Sequence, residues 1–281
     1  MKIGFIRIIT MAAATALALS LTGCGGSGNT AHISASREQI VVAGSTTVAP
    51  VAQAMADAFM EIHTQYNVEV QSMGTGAGMI AAIEGVADIG IASRNLNADE
   101  LTTLDFITFA IDGIAIAVHA SNPVKDLSFD DIRSIFLGEI TNWSEVGGNN
   151  AEIIVVSREA GSGARSSFES LAGVTDDVAY MLIGIGSNGV LTSVDQNVNA
   201  VGYAAYGLVA GRNTSAIAVD GISFSNATAI DGSYPFAIGF HMAFPSTGVS
   251  ASTQVFLDWV MSPAGQAVVA DYNYLPVAHH P

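Results

Sequence analysis

Four short turns rich in glycine, serine and threonine carry the residue types best suited to holding an anion. Each follows an apolar, strand-like run and precedes a helix-like segment: GSTTVAP (44–50), GTGAG (74–78), SRNL (93–96) and REAGSGAR (158–165). Free N–H groups and the dipole at a helix start attract anions, glycine allows close approach of the backbone, and arginine offers a planar fork for oxyanions. A single turn of this kind is also typical of simple helix capping. Four turns, two of them with arginine, favour an anion-binding site.

The charge of the chain makes arginines in such turns unusual. The sequence has 9 Lys+Arg against 25 Asp+Glu, a formal net charge of -16. Nucleic acid and anionic membrane surfaces are therefore poor partners. An anionic ligand needs a strongly local site, and Arg94, Arg158 and Arg165 all lie in Ser/Gly-rich turns. The alternative role for Arg94 and Arg158 is a structural salt bridge.

The N-terminus has the pattern of an export signal. A basic start, MKIGFIR, leads into the apolar run 8–21 and then into small residues up to Cys24, the one cysteine of the chain. The run is too short for a comfortable membrane span. LTGC (21–24) resembles the lipobox of bacterial lipoproteins, which implies cleavage before Cys24 and its lipidation; an ordinary signal peptide and an uncleaved anchor are the alternatives. We expect a lipoprotein signal peptide at 1–23, a flexible tether at 24–36, and an extracytoplasmic protein held on the bacterial membrane.

The elements that must position the four turns alternate between strand and helix patterns. IVVAG (40–44) is strand-like, residues 48–62 have apolar side chains at helical spacing, and VEVQS (68–72) is strand-like again. In the helix that follows, Met79, Ile80 and Ile83 are expected to face inward. This repetition predicts an α/β fold in which mixed sheets are flanked by helices.

Two long apolar runs divide the chain. Residues 107–119 form a run too long for an ordinary strand, and residues 234–244 form a second one. We interpret them as crossings between two lobes, with 37–115 plus 235–281 in lobe I and 116–234 in lobe II. A cleft between two lobes is a common place for a small ligand.

Eight segments occur in an order that matches one known family. They are GSTTVAP, GTGAGM, ADIGIASRNL, AIDGIAIAV, FLGEITNWSEVGG, SREAGSGARSSFE, VGYAAYG and SPAGQ. Together, from about residue 40 to residue 277, they resemble the phosphate-binding proteins of bacterial ABC phosphate importers, the PstS-type periplasmic binding proteins. The resemblance implies a two-lobed fold that closes over one inorganic phosphate and delivers it to a membrane permease. It implies a transport protein and not an enzyme, and we expect a monomer without cofactor or metal.

Carried over position by position, the resemblance assigns ligand contacts to the turns and to one strand. It implies phosphate binding by Thr46, Thr47, Thr75, Ser93, Arg94, Asp112, Arg158, Ser162, Gly163, Ala164 and Arg165. Thr75 is also expected to cap the second helix, and Arg165 to support the site from behind. For Asp112 there is also a physical reason to expect a ligand contact, because phosphate at neutral pH keeps a proton and sulfate does not. A buried carboxylate accepts that proton and repels fully ionised sulfate; the alternative is a turn residue beside Gly113.

The sequence departs from the family at two positions of the fourth turn. The usual segment is R-x-D-G-S-G-T, whereas here Ala160 lacks the carboxylate that would orient Arg158, and Ala164 lacks the threonine hydroxyl. Glu159 is a candidate replacement, although adjacent side chains normally point in different directions. We therefore expect weaker or altered anion binding, or another residue that steadies Arg158.

Three other functions stay open at this point. Molybdate, tungstate and sulfate receptors share the fold, so another oxyanion is the main alternative to phosphate. A secreted phosphatase is a second, but Ala160 stands where a nucleophile turn G-x-S-x-G requires its first glycine, and the histidines form no recognisable metal pair. An interaction protein on the same scaffold is the third, and the joint presence of Arg94, Asp112, Arg158 and Ser162 argues against it.

Overall fold

The computed structural model describes residues 37–277. The predicted signal peptide, the tether with Cys24 and the C-terminal end lie outside the described residues. The strands are β1 (Glu38–Gly44), β2 (Tyr66–Ser72), β3 (Ile89–Ala92), β4 (Leu104–His119), β5 (Asp126–Leu127), β6 (Ile154–Arg158), β7 (Leu182–Gly184), β8 (Ala200–Ala205), β9 (Thr214–Ala216), β10 (Ala218–Val219), β11 (Ala237–Pro245) and β12 (Leu275–Pro276). The α-helices are α1 (Ala49–Ile62), α2 (Thr75–Ile83), α3 (Phe129–Phe136), α4 (Gly163–Ala172), α5 (Gly186–Gln196), α6 (Asn226–Ile230), α7 (Ala251–Met261) and α8 (Pro263–Asp271). Short 3-10 turns occur at Glu100–Thr102, Trp143–Val146 and Tyr206–Leu208.

Over residues 37–277, no helix is both long enough and apolar enough to cross a membrane.

The main sheet is mixed, as the alternation of strand and helix patterns predicts. Its strand order is β2-β1-β3-β11-β4-β8-β6-β7, with β9 and β12 also paired to β4. β1 runs parallel to β2 and β3, and β6 runs parallel to β7 and β8. Parallel neighbours need a crossover connection, which the helices supply. β11 and β8 run antiparallel to β4. The predicted α/β fold is confirmed.

Strand β4 is shared by two lobes. It pairs with β11 as far as Gly113, and with β8 from Ile114 onward. The returning chain runs beside it, since the Ile114 N–H donates to the Phe236 carbonyl over 2.8 Å. The run predicted to be too long for an ordinary strand is thus one strand of 16 residues that belongs to both lobes. The change of partner falls close to the lobe limit predicted after residue 115, and the exact limits remain predictions.

Helix α1 packs on the core of the first lobe through the face that its spacing predicts. Val51, Met55 and Phe59 are buried, and the Phe59 ring meets the edge of Phe256 in α7 at 5.1 Å between ring centroids. Full burial of each such side chain stabilises the fold by about 1.5–3 kcal/mol. Ile62, at the last position of the helix, is exposed.

Helix α2 buries only part of the predicted face. Met79 is buried as predicted, but Ile80 and Ile83 are exposed, so the prediction is wrong for these two residues. The reason is close packing through small residues, because a Cβ on Gly78 would overlap the backbone of Gly44. This contact holds the start of α2 against the end of β1, where the first predicted turn begins.

Candidate anion-binding site

The predicted turns meet where the two lobes face each other. Arg158 Nη2 donates to Thr46 Oγ1 over 2.9 Å, which joins the fourth turn to the first. The Gly76 N–H donates to the Gly161 carbonyl over 3.1 Å, which joins the second turn to the fourth. Turns that are far apart in sequence therefore form one group.

Serine hydroxyls connect the first and third turns. Ser45 Oγ accepts the N–H of Thr47 at 3.2 Å and donates to Ser93 Oγ at 3.0 Å. Thr75 does not cap α2 as predicted: Gly74 holds the capping position, and Thr75 Oγ1 accepts the Ser93 N–H at 3.4 Å. These hydroxyls are buried, and a buried hydroxyl without a partner is costly, so they are held in place by one another.

Arg158 lies at the centre of the group with its donors directed to fixed partners. Its side chain is 1% exposed. Nε and Nη2 donate to the two carboxylate oxygens of Glu159 over 2.9 and 2.8 Å, and Nη1 donates to Ser187 Oγ over 3.1 Å. Glu159 Oε2 also accepts the N–H of Gly186 at 3.2 Å. The guanidinium is thus fixed in its plane between the first turn and the start of α5.

Glu159 supplies the carboxylate that Ala160 lacks. Burial would raise the pKa of Glu159, but the hydrogen bonds and charge of Arg158 outweigh it, and the pKa is lowered. The expectation that adjacent side chains diverge is wrong here. β6 ends at Arg158, so Glu159 lies beyond the strand and its side chain folds back onto its neighbour.

The start of α4 lies directly against the first lobe. Ser162 is the capping residue, and its Oγ accepts the Arg165 N–H at 3.2 Å. Gly163 and Ala164 follow in the first turn, where helical N–H groups have no partner within the helix. A Cβ on Gly163 would overlap Thr75 Oγ1, so only glycine permits this approach.

The start of α5 completes the group, and no predicted site residue lies there. Ser187 is buried, and its Oγ lies 2.7 Å from Thr47 Oγ1. The segment GIGSNG (184–189) has the same signal as the predicted turns, a Gly-Ser pair between a strand and a helix start. The sequence therefore contained the information that would have added this turn.

Two of the predicted arginines are engaged by other carboxylates. Arg94 Nη1 and Nη2 donate to the two oxygens of Glu100 over 2.8 and 2.7 Å. Arg165 Nε donates to Glu169 Oε1 over 2.6 Å, and its Nη1 donates to the Arg158 carbonyl over 3.1 Å. Arg165 therefore supports the backbone behind the site, as the sequence suggested. Arg94 forms the salt bridge that was its alternative role.

Asp112 lies at the junction of the lobes, and within residues 37–277 no hydrogen bond joins its side chain to this group. Its carboxyl is buried, and neither oxygen has a hydrogen-bond partner among residues 37–277. Burial raises the pKa of Asp112 to about 8, although the nearby N–H groups of Gly113, Gly207 and Tyr206 counteract this rise. Burial raises the pKa of Tyr234 and of Tyr274, and the negative charge of Asp112 adds to this rise. None of these neighbours belongs to the predicted turns, so the structure does not join Asp112 to the other site residues.

We call the residues that the structure does bring together the anion cluster. They are Thr46, Thr47, Thr75, Ser93, Arg158, Ser162, Gly163, Ala164 and Ser187. The cluster offers hydroxyls, helix-start N–H groups and one guanidinium, which is the donor set for an oxyanion. Within residues 37–277 no three His, Cys, Asp or Glu side chains lie close enough to form a metal site.

Comparison with known proteins gives the class of this fold and site. A family model described as "PBP superfamily domain" matches residues 29–264. A phosphate ABC transporter substrate-binding protein from Clostridium perfringens, solved with bound phosphate, has a TM-score of 0.83 and 36% identity, covering 86% of this chain and all of that one. An ABC-type phosphate transport receptor from Vibrio cholerae has a TM-score of 0.74 and 34% identity, with 85% and 100% covered.

A curated relative extends the match over the whole length. The phosphate-binding protein PstS of Bacillus subtilis is 28% identical over 291 residues, covering 97% of this chain and 93% of the relative. The fold, the cluster and these matches define a two-lobed substrate-binding protein. The chain belongs to the PstS-type phosphate-binding proteins of the PBP superfamily.

Proposed function

We propose that this protein captures inorganic phosphate between its lobes and delivers it to the membrane permease of an ABC importer. Arg158 is the observation that carries the proposal. It is buried and bridges the lobes, with Thr46 on one side and Ser187 on the other. A buried guanidinium among hydroxyls suits a tetrahedral oxyanion. The similar proteins named above are phosphate-binding proteins, and one was solved with phosphate bound.

The proposed mechanism is capture without chemistry. One lobe contributes the hydroxyls of Thr46, Thr47 and Thr75, and the other contributes Arg158 with the first turn of α4. Only a closed form satisfies a ligand from both sides, so phosphate shifts the population from open to closed. The closed form docks on the permease, and opening there releases the ligand. No bond is made or broken, so the protein is not an enzyme.

The proposed location follows from the N-terminal sequence. Lipidation at Cys24 would hold the protein outside the cytoplasm on the bacterial membrane, with 24–36 as tether, and the protein would act as a monomer. One acyl chain holds weakly, so anchoring requires more than one. Expression of the full chain with and without C24S, followed by membrane fractionation, tests the anchor: C24S should release the protein.

Titration calorimetry on the chain from residue 25 onward tests the ligand, with phosphate, sulfate, molybdate and tungstate in parallel. Phosphate is expected to bind with the highest affinity. No heat with phosphate, together with clear binding of another oxyanion, would overturn the proposal. Turnover of a phosphomonoester by the same preparation would show an enzyme instead.

The contacts of Asp112 favour a second candidate, a receptor for another oxyanion. The backbone N–H groups that lower the pKa of the carboxylate predicted to repel sulfate belong to Gly113, Gly207 and Tyr206, which lie outside the anion cluster. Without a carboxylate acceptor in that role, the cluster discriminates less strongly between protonated and fully ionised oxyanions. The parallel titrations separate the two candidates.

A further inference from the structure

We propose that Ser187 is a further ligand-binding residue, and that Glu159 is the positioning residue that fixes Arg158 for the same ligand. The proposal rests on the proposed phosphate function and deepens it. Both residues belong to the lobe of Arg158, and both contact its guanidinium.

The hydroxyl pair of Ser187 and Thr47 has one proton available for a ligand. Ser187 Oγ accepts Arg158 Nη1 at 3.1 Å and lies 2.7 Å from Thr47 Oγ1. Each hydroxyl carries one proton and two acceptor positions, and the bond between two hydroxyls uses only one of their two protons. The other proton of the Ser187–Thr47 pair can therefore point at an anion without breaking the contact with Arg158.

The backbone around Ser187 reinforces this role. Ser187 is the second residue of α5, a helix of 11 residues. The first turn of a helix carries unpaired N–H groups and partial positive charge, both of which favour an anion. A Cβ on Gly186 would lie 3.9 Å from Thr46 Oγ1, so the start of α5 borders the same space as the first turn.

Glu159 acts on the ligand through Arg158. Its two oxygens hold Nε and Nη2, and Oε2 also accepts the Gly186 N–H. One carboxylate thus ties the arginine to the start of α5, and Nη1 is left directed at Ser187. Glu159 and Ser187 together replace the carboxylate and the hydroxyl that Ala160 and Ala164 do not supply.

Phosphate calorimetry on S187A tests the first half of the proposal. A hydrogen bond to a charged ligand is worth about tenfold or more in affinity, so S187A should bind phosphate at least tenfold more weakly. The matched control is S193A on the same helix, because Ser193 Oγ donates to the Gly189 carbonyl, outside the cluster. Unchanged affinity in S187A would overturn the ligand role, and so would an equal loss in S193A.

The sign of the effect in E159A tests the second half. If Glu159 acted only through its charge, its removal would strengthen the binding of an anion, whereas loss of positioning weakens it. We expect at least a tenfold loss for E159A, and recovery to within about threefold of the parent in E159A/A160D, because a hydrogen bond to a charged group carries that much affinity. Tighter binding by E159A, or no recovery in the double variant, would overturn the positioning role.

Thermal melting of each variant without ligand excludes unfolding as the cause of a loss. The parent protein separates this proposal from the proposed function: if the parent binds no phosphate, the proposed function fails. If the parent binds and S187A binds equally well, the proposed function stands and Ser187 is not a ligand-binding residue.

Discussion

Gly163 and Thr75 lie so close together across the two lobes that a methyl group on Gly163 would overlap the Thr75 hydroxyl oxygen. The same methyl group would come within 2.7 Å of Ser93 Oγ. Both hydroxyls are buried and held by bonds, so neither can move aside easily. Gly163 and Thr75 belong to different lobes, so we expect this contact only in a closed form, and Gly163 provides a steric test of closure.

G163A should therefore impair closure more than folding of either lobe. An overpacked contact costs about 1–3 kcal/mol, and here the cost falls on the closed form, so phosphate affinity should drop by about fivefold to 150-fold. Calorimetry measures the affinity and small-angle scattering measures closure. G76A is the matched control, because its Cβ would meet only the Gly161 backbone at an ordinary 3.6 Å. Equal affinity in G163A and the parent would contradict the prediction.

R158A should abolish tight phosphate binding. The substitution removes the one guanidinium in the cluster and leaves the Glu159 carboxylate without its partner. Four of the five guanidinium N–H groups bond to Glu159, Thr46 and Ser187, which leaves one on Nη1 for the ligand. Loss of this charge-assisted hydrogen bond is worth about 1.5–3 kcal/mol, a factor of about 10 to 150 in the dissociation constant. R158K should recover only part of this, because lysine keeps the charge but not the planar fork.

Calorimetry with R133A controls for the change in net charge, since Arg133 is exposed on α3. A similar loss of affinity in R133A would show that long-range charge, and not the contacts of Arg158, determines binding.

The assembly of the turns could be predicted from sequence, but the partners of the arginines could not. The first three turns follow the parallel strands β1, β2 and β3, which bring them to one end of the first lobe. The fourth turn follows β6, which runs in the opposite direction and so brings its turn to them from the other lobe. Whether Arg158 turns to Glu159, or Arg94 to Glu100, depends on backbone bends beyond the strand ends. Spacing alone does not encode such bends.

Burial was predictable where bulky side chains set the packing and not where glycines do. α1 packs through large apolar residues and follows its period, whereas α2 approaches β1 through Gly78 and exposes Ile80. Asp112 was recognised as a buried carboxylate, but the direction of its side chain depends on the register of β4 against its neighbours. That register is a property of the whole sheet.

D112N should stabilise the protein at alkaline pH. The pKa of Asp112 is raised to about 8 in the folded state, from an ordinary value of 3.8. Between these values the folded state binds more protons than the unfolded state, so this residue lowers stability by up to about 1.4 kcal/mol per pH unit as pH rises. Above the folded-state pKa, Asp112 is ionised in both states, so a further rise in pH causes no additional loss of stability through this residue. D112N removes this pH dependence, and urea unfolding from pH 5 to pH 9 measures it. A constant difference between D112N and the parent at every pH would contradict the prediction.

The same variant decides where Asp112 acts. The N–H groups that lower its pKa, those of Gly113, Gly207 and Tyr206, lie outside the anion cluster, so D112N should leave the ratio of phosphate to sulfate affinity unchanged. Stronger sulfate binding by D112N would instead place the carboxylate against the ligand, as the sequence suggested. Competition titrations at pH 7 measure the ratio.

S167A should favour the open form modestly. Ser167 Oγ in α4 donates to the Ser93 carbonyl over 3.0 Å, a direct bond between the lobes that uses no group of the ligand set except the backbone of Ser93. A neutral hydrogen bond contributes about 0.5–1.5 kcal/mol, so phosphate affinity should fall by about twofold to tenfold. S170A is the matched control, because Ser170 is exposed on the same helix. Scattering without ligand should show a larger radius of gyration for S167A than for S170A. Identical radii and affinities would mean that this bond does not hold the lobes together, and that the ligand alone closes them.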